Sequence, residues 1–242
     1  MCGDKWVMTK LILAALLLAS APAVAADRNF GVSGFDRVRV DGDYRVNLIV
    51  GVAPFARASG SARALDPVDV VVEGRTLIVR SNRSASWGGY PGESAGPVEV
   101  NVGTHELTAA FVNGAGSLNI NQVRGLKFEV SAQGAGSVTI DKVDVDQFQL
   151  ALAGAASARL AGKALKLTAI IRGTSSLDGE ALSVKDAVIG AQGPAIVKLT
   201  TTGTAKVDAI GVASVTLIGK PACTVTTKGS ASVSGCRSTS LN

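Results

Sequence analysis

Along residues 114–234 apolar and polar positions alternate in short runs that restart at a regular interval. Each run opens on a glycine phrase: Gly114-Ala-Gly-Ser-Leu, Gly134-Ala-Gly-Ser-Val, Gly154-Ala-Ala-Ser-Ala, Gly173-Thr-Ser-Ser-Leu, Gly193-Pro-Ala-Ile-Val, Gly211-Val-Ala-Ser-Val and Gly229-Ser-Ala-Ser-Val. The leading glycines are 20, 20, 19, 20, 18 and 18 residues apart. The fifth residue of every phrase is apolar, from Leu118 and Val138 to Val215 and Val233, and the sixth is polar, from Asn119 and Thr139 to Thr216 and Ser234. A switch of character in one step is what a strand with one buried face demands. Six, four and two places before the glycine the apolar set returns, as in Phe128, Val130 and Ala132 or Phe148, Leu150 and Leu152. Each repeat therefore holds at least two strands separated by a corner. The third place of the phrase carries only Gly, Ala or Ser, which marks the turn itself.

A repeat of 18 to 20 residues without helical patterning predicts an all-β, single-domain parallel β-helix of about seven regular coils. At about 3.3 Å per residue each coil has a contour of about 60 Å, and coils stacked about 4.8 Å apart bring equivalent residues into register. Two ladders follow. Ser117, Ser137, Ser157, Ser176, Ser214 and Ser232 align, interrupted by Ile196, and hydroxyls stacking and bonding along a corner are their expected use. In the outer column Asp178 is expected between Arg159 and Lys198, on one face.

The chain begins differently. Residues 1–26 have a basic start, an apolar stretch from Leu11 and small residues at Ala23-Val-Ala-Ala, which reads as a secretory signal peptide cut after Ala25 or Ala26. The mature chain is then expected to have no membrane-spanning helix, since one needs about 20 apolar residues. Residues 27–110 are read as N-terminal strands or first irregular coils. Phe35–Val50 alternates around a Gly42 turn and Val68–Val79 around Glu73-Gly74, giving two strand pairs, while Ala53–Asp66 reads as a loop with at most one strand. Residues 81–97 contain four glycines and two prolines and form a long loop. It holds Trp87 and Tyr90, a possible binding surface for sugar or peptide, although a loop folded over the solenoid explains them as well. Residues 111–242 hold the regular coils and the tail. The repeats run to Val233 with nine residues beyond, so no C-terminal membrane barrel is expected.

Taking residues 1–26 away leaves 22 Lys and Arg against 18 Asp and Glu. The cations are scattered, without the stripe that nucleic acid requires, so no nucleic-acid partner is expected. His105 is the one histidine, which excludes a histidine-based triad or multi-histidine metal site within one chain. It also leaves the serine ladder without the base a nucleophile needs. No phosphate loop or calcium-binding nonapeptide is present, and no cofactor is expected. Paired carboxylates are the best opening for an enzyme acting on polysaccharides, a lyase or hydrolase, because two carboxyls about 5 to 9 Å apart can run acid–base chemistry on sugars. The candidates are Asp141, Asp144 and Asp146, with Asp178, Glu180 and Asp186 in later coils. They are interleaved with lysines and lack long neighbouring loops, so catalysis is not the expected function. Cys223 falls in an inward column and Cys236 just past the last strand. In an oxidising compartment a disulfide between them would pin the tail across the end of the solenoid; two buried thiols are the alternative.

A chain opening on Phe35-x-x-Val-x-Val-x-Gly-x-Tyr-x-Val, followed by Leu77-Ile-Val, Val98-Glu-Val and serial Gly-Ala-Gly-Ser units, resembles the putative auto-transporter adhesin, head GIN domain family. The resemblance covers nearly all of the mature chain. It implies a β-helical, adhesin-like domain exported to the periplasm or beyond the cell, and carries over no catalytic residue. The partner it implies is an envelope or surface ligand, protein or glycan.

Overall fold

The computed structural model describes residues 26–82 and 96–237. The regular part is a stack of coils built from β8 (Ala109–Gly114), β9 (Ser117–Ile120), β10 (Val123–Gly134), β11 (Ser137–Gly154), β12 (Ser157–Arg172), β13 (Ser176–Gln192), β14 (Ile196–Gly211), β15 (Ser214–Ile218), β16 (Ala222–Gly229) and β17 (Ser232–Ser234). Successive coils pair in parallel: Val138 faces Leu118 on one side and Ala158 on the other, and Val197 lies between Leu177 and Val215. The fold is the expected all-β solenoid.

Each regular coil has three sides. In β11 the buried residues are Val138 and Ile140, then Val143 and Val145, then Phe148, Leu150 and Leu152. Between these sets the inward step is three residues instead of two. A strand cannot keep one face inward across an odd step, so the chain turns there, at Asp141-Lys142 and at Asp146-Gln147. The pairing register slips at the first of these positions. The third corner is the glycine phrase, and it explains the repeat. The leading glycines have φ of 109° at Gly114, 96° at Gly134 and 89° at Gly154, a left-handed backbone that costs other residues about 1–2 kcal/mol. A Cβ on Gly134 would also lie 2.6 Å from the Gly114 carbonyl oxygen of the coil below. That carbonyl accepts the Ala135 N–H at 2.8 Å, so the close approach is the inter-coil hydrogen bond itself.

The inner columns form one continuous apolar core. Phe128 and Phe148 stack within it at 5.7 Å between ring centroids. Along the serine column the hydrogen bonds that link coils are main-chain ones, such as Ser137 N–H to Gly116 O at 3.0 Å and Ser157 N–H to Gly136 O at 3.0 Å. The expected role for the hydroxyls thus passes to the backbone, because the corner turns the amides along the stack.

The N-terminal strands are β1 (Ala26–Phe30), β2 (Arg37–Gly42), β3 (Arg45–Val50), β4 (Phe55–Gly60), β5 (Val68–Glu73), β6 (Thr76–Ser81) and β7 (Glu99–Thr104), with a one-turn helix α1 (Ala62–Leu65). Of the two expected strand pairs, β5 and β6 do form an antiparallel hairpin. β2 and β3 do not pair with each other. Gly42 is another coil corner, with φ 122° and in register with Gly114. β2 is paired in parallel on both edges, by β6 and by β8, and β3 likewise by β7 and β9. The first coil of the chain is thus an inner layer, and the layer of β6 and β7, later in sequence, lies beneath it. Residues 53–66, read as a loop, supply β4, which pairs antiparallel with β1 and β7, and α1. Ser61 caps this helix through a hydrogen bond from the Ala64 N–H at 3.2 Å, and its Ala64 and Leu65 are buried.

Candidate functional site

The first side of the coil presents two outward columns. One is the serine column. The other runs in unbroken register from Asn101 through Asn47, Asn119, Thr139, Arg159 and onward to Ser234. At its start the side chains bond to one another: Asn119 Nδ2 donates to Asn47 Oδ1 at 3.0 Å, and Asn47 Nδ2 to Asn101 Oδ1 at 3.1 Å and to Glu99 Oε1 at 2.7 Å. This asparagine ladder was not read from the sequence. Its signal is the recurring Val46-Asn-Leu, Val100-Asn-Val and Leu118-Asn-Ile, in which asparagine stands between two inward apolar residues.

Further along, Asp178 faces Arg159 and Lys198 as expected. Arg159 Nε bonds Asp178 Oδ2 at 3.1 Å. Lys198 turns instead to Glu180, with Nζ 3.0 Å from Oε1, and this carboxylate raises the Lys198 pKa above the usual lysine value. Next to this column a shallow depression of about 390 Å³ gathers Asp141, Arg159, Asp178 and Glu180. The other expected carboxylates lie elsewhere. Asp144 and Asp146 line a depression of about 290 Å³ with Lys163 and Lys185, and Asp144 pairs with Lys163 Nζ at 3.4 Å. Asp186 accepts the Thr204 hydroxyl at 2.6 Å and the Thr204 N–H at 3.2 Å. The hydroxyl bond chiefly holds its pKa below the ordinary carboxylate value, the opposite of what a general acid needs. Among the described residues no three His, Cys, Asp or Glu side chains converge as a metal ion would require.

Trp87 and Tyr90 lie outside the described residues. The roots of their segment are placed: β6 ends at Ser81, and Gly96, at φ 87°, leads back toward β7. Ser81, Gly96, Asp43, Tyr44 and Arg45 surround a depression of about 540 Å³. Tyr44 occupies the place held elsewhere by Gly, Ala or Ser and is buried; burial pushes its phenol pKa up, against a hydrogen bond with Ser81 that lowers it. At the far end Cys223 and Cys236 are joined in a disulfide, their Cα atoms 5.7 Å apart. No helix among the described residues is long and apolar enough to cross a membrane.

Among curated proteins none matches the chain in sequence. Its fold is shared with solved structures of low identity. One is described as a putative adhesin from Bacteroides fragilis, with TM-score 0.74 and 13% identity over 87% of this chain and 96% of that one. Another is described as a putative lipid binding protein from Parabacteroides distasonis, with TM-score 0.69 and 15% identity over 88% and 96%. A third is a putative adhesin from Parabacteroides merdae, with TM-score 0.61 and 14% identity over 88% and 96%. The family model for the putative auto-transporter adhesin, head GIN domain matches residues 34–221, from just before β2 to just before β16, and the chain belongs to that family.

Proposed function

We propose that this protein is a non-enzymatic, adhesin-like envelope protein, exported to the periplasm or cell surface by a signal peptide within residues 1–26, that binds an extended protein or glycan along its first side. The observation that carries this reading is the outer column from Asn101 to Ser234. It repeats a polar or charged side chain at strand spacing over eight steps, about 38 Å in all. Such an array meets a polymer at many equivalent points, each weak and together sufficient. The family and the fold shared with proteins described as adhesins support it. Of the six carboxylates that an enzyme acting on polysaccharides would use, Asp178, Glu180, Asp144 and Asp186 are engaged with Arg159, Lys198, Lys163 and Thr204, and Asp141 and Asp146 lie in separate depressions, so no observation favours that alternative.

The test is a glycan array and a pull-down from envelope extract with the mature protein and with an Asn119→Arg, Thr139→Arg variant. Both substitutions are outward and leave the core intact. Loss of the captured ligand with an unchanged Tm supports the column as the binding face; undiminished capture overturns it. Release of new reducing ends from a polysaccharide by the wild-type protein would overturn the non-enzymatic reading.

A further inference from the structure

The two ends of the stack are finished differently. At the N-terminal end β6 is covered by β5, and Ala64 and Leu65 of α1 are buried there. At the C-terminal end the third side stops at β16, which pairs with β14 on one edge and has no partner strand on the other among the described residues. All eight of its residues are exposed except Cys223, which is half-buried. Val225 continues the inward column of Val207, yet Val225 is 42% exposed while Val207 is 1% exposed. An uncovered strand of this length is normally blunted by proline, a bulge or several charges. Residues 222–229 read Ala-Cys-Thr-Val-Thr-Thr-Lys-Gly, β-prone, without proline and with a single charge.

The charge around this edge has one sign. After Asp208 the chain contains no Asp or Glu, and its charged residues are Lys220, Lys228 and Arg237. The Arg237 N–H bonds the Pro221 carbonyl at 3.0 Å, and the disulfide ties Cys236 to Cys223. Arg237 and Lys220 therefore stand at the beginning of β16. Lys228 stands at its end, about 23 Å away at strand rise. Between them Asp208 lies one layer in, beside Thr226. Two copies meeting edge to edge in antiparallel fashion would bring Lys228 of one toward Lys220 and Arg237 of the other, which like charges oppose.

We propose that the open edge of β16 is a docking site for an extended, acidic segment of a partner protein. The segment adds as a strand, its main chain bonding the outer edge of β16. An apolar side chain covers Val225, and carboxylates near its two ends meet Lys220 with Arg237 and Lys228. This surface is separate from the polar column of the first side, so the two proposals stand or fall independently.

The probe is a fluorescent nine-residue peptide of alternating threonine and valine with glutamate at each end, compared with its lysine-ended counterpart. Binding to the mature, oxidised protein is read by anisotropy at low salt, and the site by hydrogen exchange. The glutamate peptide is expected to bind at least tenfold tighter than the lysine peptide and to slow exchange in Thr224–Lys228 at least tenfold. The Lys220→Glu, Lys228→Glu, Arg237→Glu variant, altered only at exposed positions, is expected to reverse the preference. Equal binding of both peptides, or protection elsewhere than β16, overturns the proposal. So does protection, before peptide is added, of those Thr224–Lys228 amides that point away from β14, which would mean that the chain's own tail or a second copy already covers the edge. Binding to phosphatidylglycerol vesicles in place of peptide would make the basic end a lipid surface and overturn it as well.

Discussion

At the scale of single residues, one position along a strand separates core from solvent. Val138 is 1% exposed among apolar neighbours, and Thr139 beside it looks outward. Val138→Asp is expected to cost about 3 kcal/mol or more, since a carboxylate would be buried unpaired, and Thr139→Asp close to nothing; thermal melts of both variants test this. Asp36 shows what a buried acid requires here. It is 6% exposed, its Oδ2 meets Arg75 Nη2 at 2.6 Å, and Thr108 Oγ1 lies 3.3 Å from the same oxygen. Arg75→Met is therefore expected to destabilise by about 2 kcal/mol, the scale of a lost hydrogen bond to a buried charged group. Asp186 offers a test by pH. Its folded pKa lies below the ordinary 3.8, chiefly through the Thr204 hydroxyl, so its contribution is complete above pH 3.8 and is lost as pH falls through the lower, folded value. Thr204→Val should lower Tm by a constant amount above that pH, and the gap to wild type should close below it.

At the scale of elements, the glycine corner makes a coil possible. It combines a left-handed backbone with an approach to the coil below that leaves no room for a Cβ. Gly134→Ala is expected to cost at least about 1–2 kcal/mol for the backbone alone and more for the contact with Gly114. Gly190 is the control: its backbone is not left-handed and nothing lies within 4 Å of where its Cβ would be. Gly190→Ala should gain up to about 1 kcal/mol by restricting the unfolded chain. Denaturant midpoints for the pair decide whether the corner, rather than glycine in general, carries the effect.

At the scale of the whole molecule, a solenoid is held by neighbours only, so each end can open without the middle. The N-terminal end is closed by α1, β4 and β5, whereas β16 and β17 depend on the coil below and on Cys223–Cys236. Closing a separation of 13 residues is worth about 3 kcal/mol or less by chain entropy. Reduction is expected to speed hydrogen exchange in Ala222–Gly229 and Ser232–Ser234 and to leave Ser137–Gly154 unchanged. Uniform loss of protection would show instead that the stack melts as one unit.

The sequence by itself determined what is local and periodic. The alternation around Leu118, Val138 and Val197 settles which residues face inward, and the glycine spacing settles which coil sits on which, because a one-residue slip would turn every inner column out. The ladder of Arg159, Asp178 and Lys198 follows from that register. Only the tertiary structure decided the rest. Gly42-Asp-Tyr is a corner like the others, but the buried Tyr44 stands where the repeats carry small residues, and 72 positions separate Gly42 from Gly114 in the next coil. A strand such as β2 has two equivalent edges, and nothing in its pattern says that β6 takes one and β8 the other; that choice belongs to contacts distant in sequence. The preference of Lys198 for Glu180 is decided in the same way, since Arg159 already holds Asp178 and Glu180 lies within reach of Lys198 Nζ.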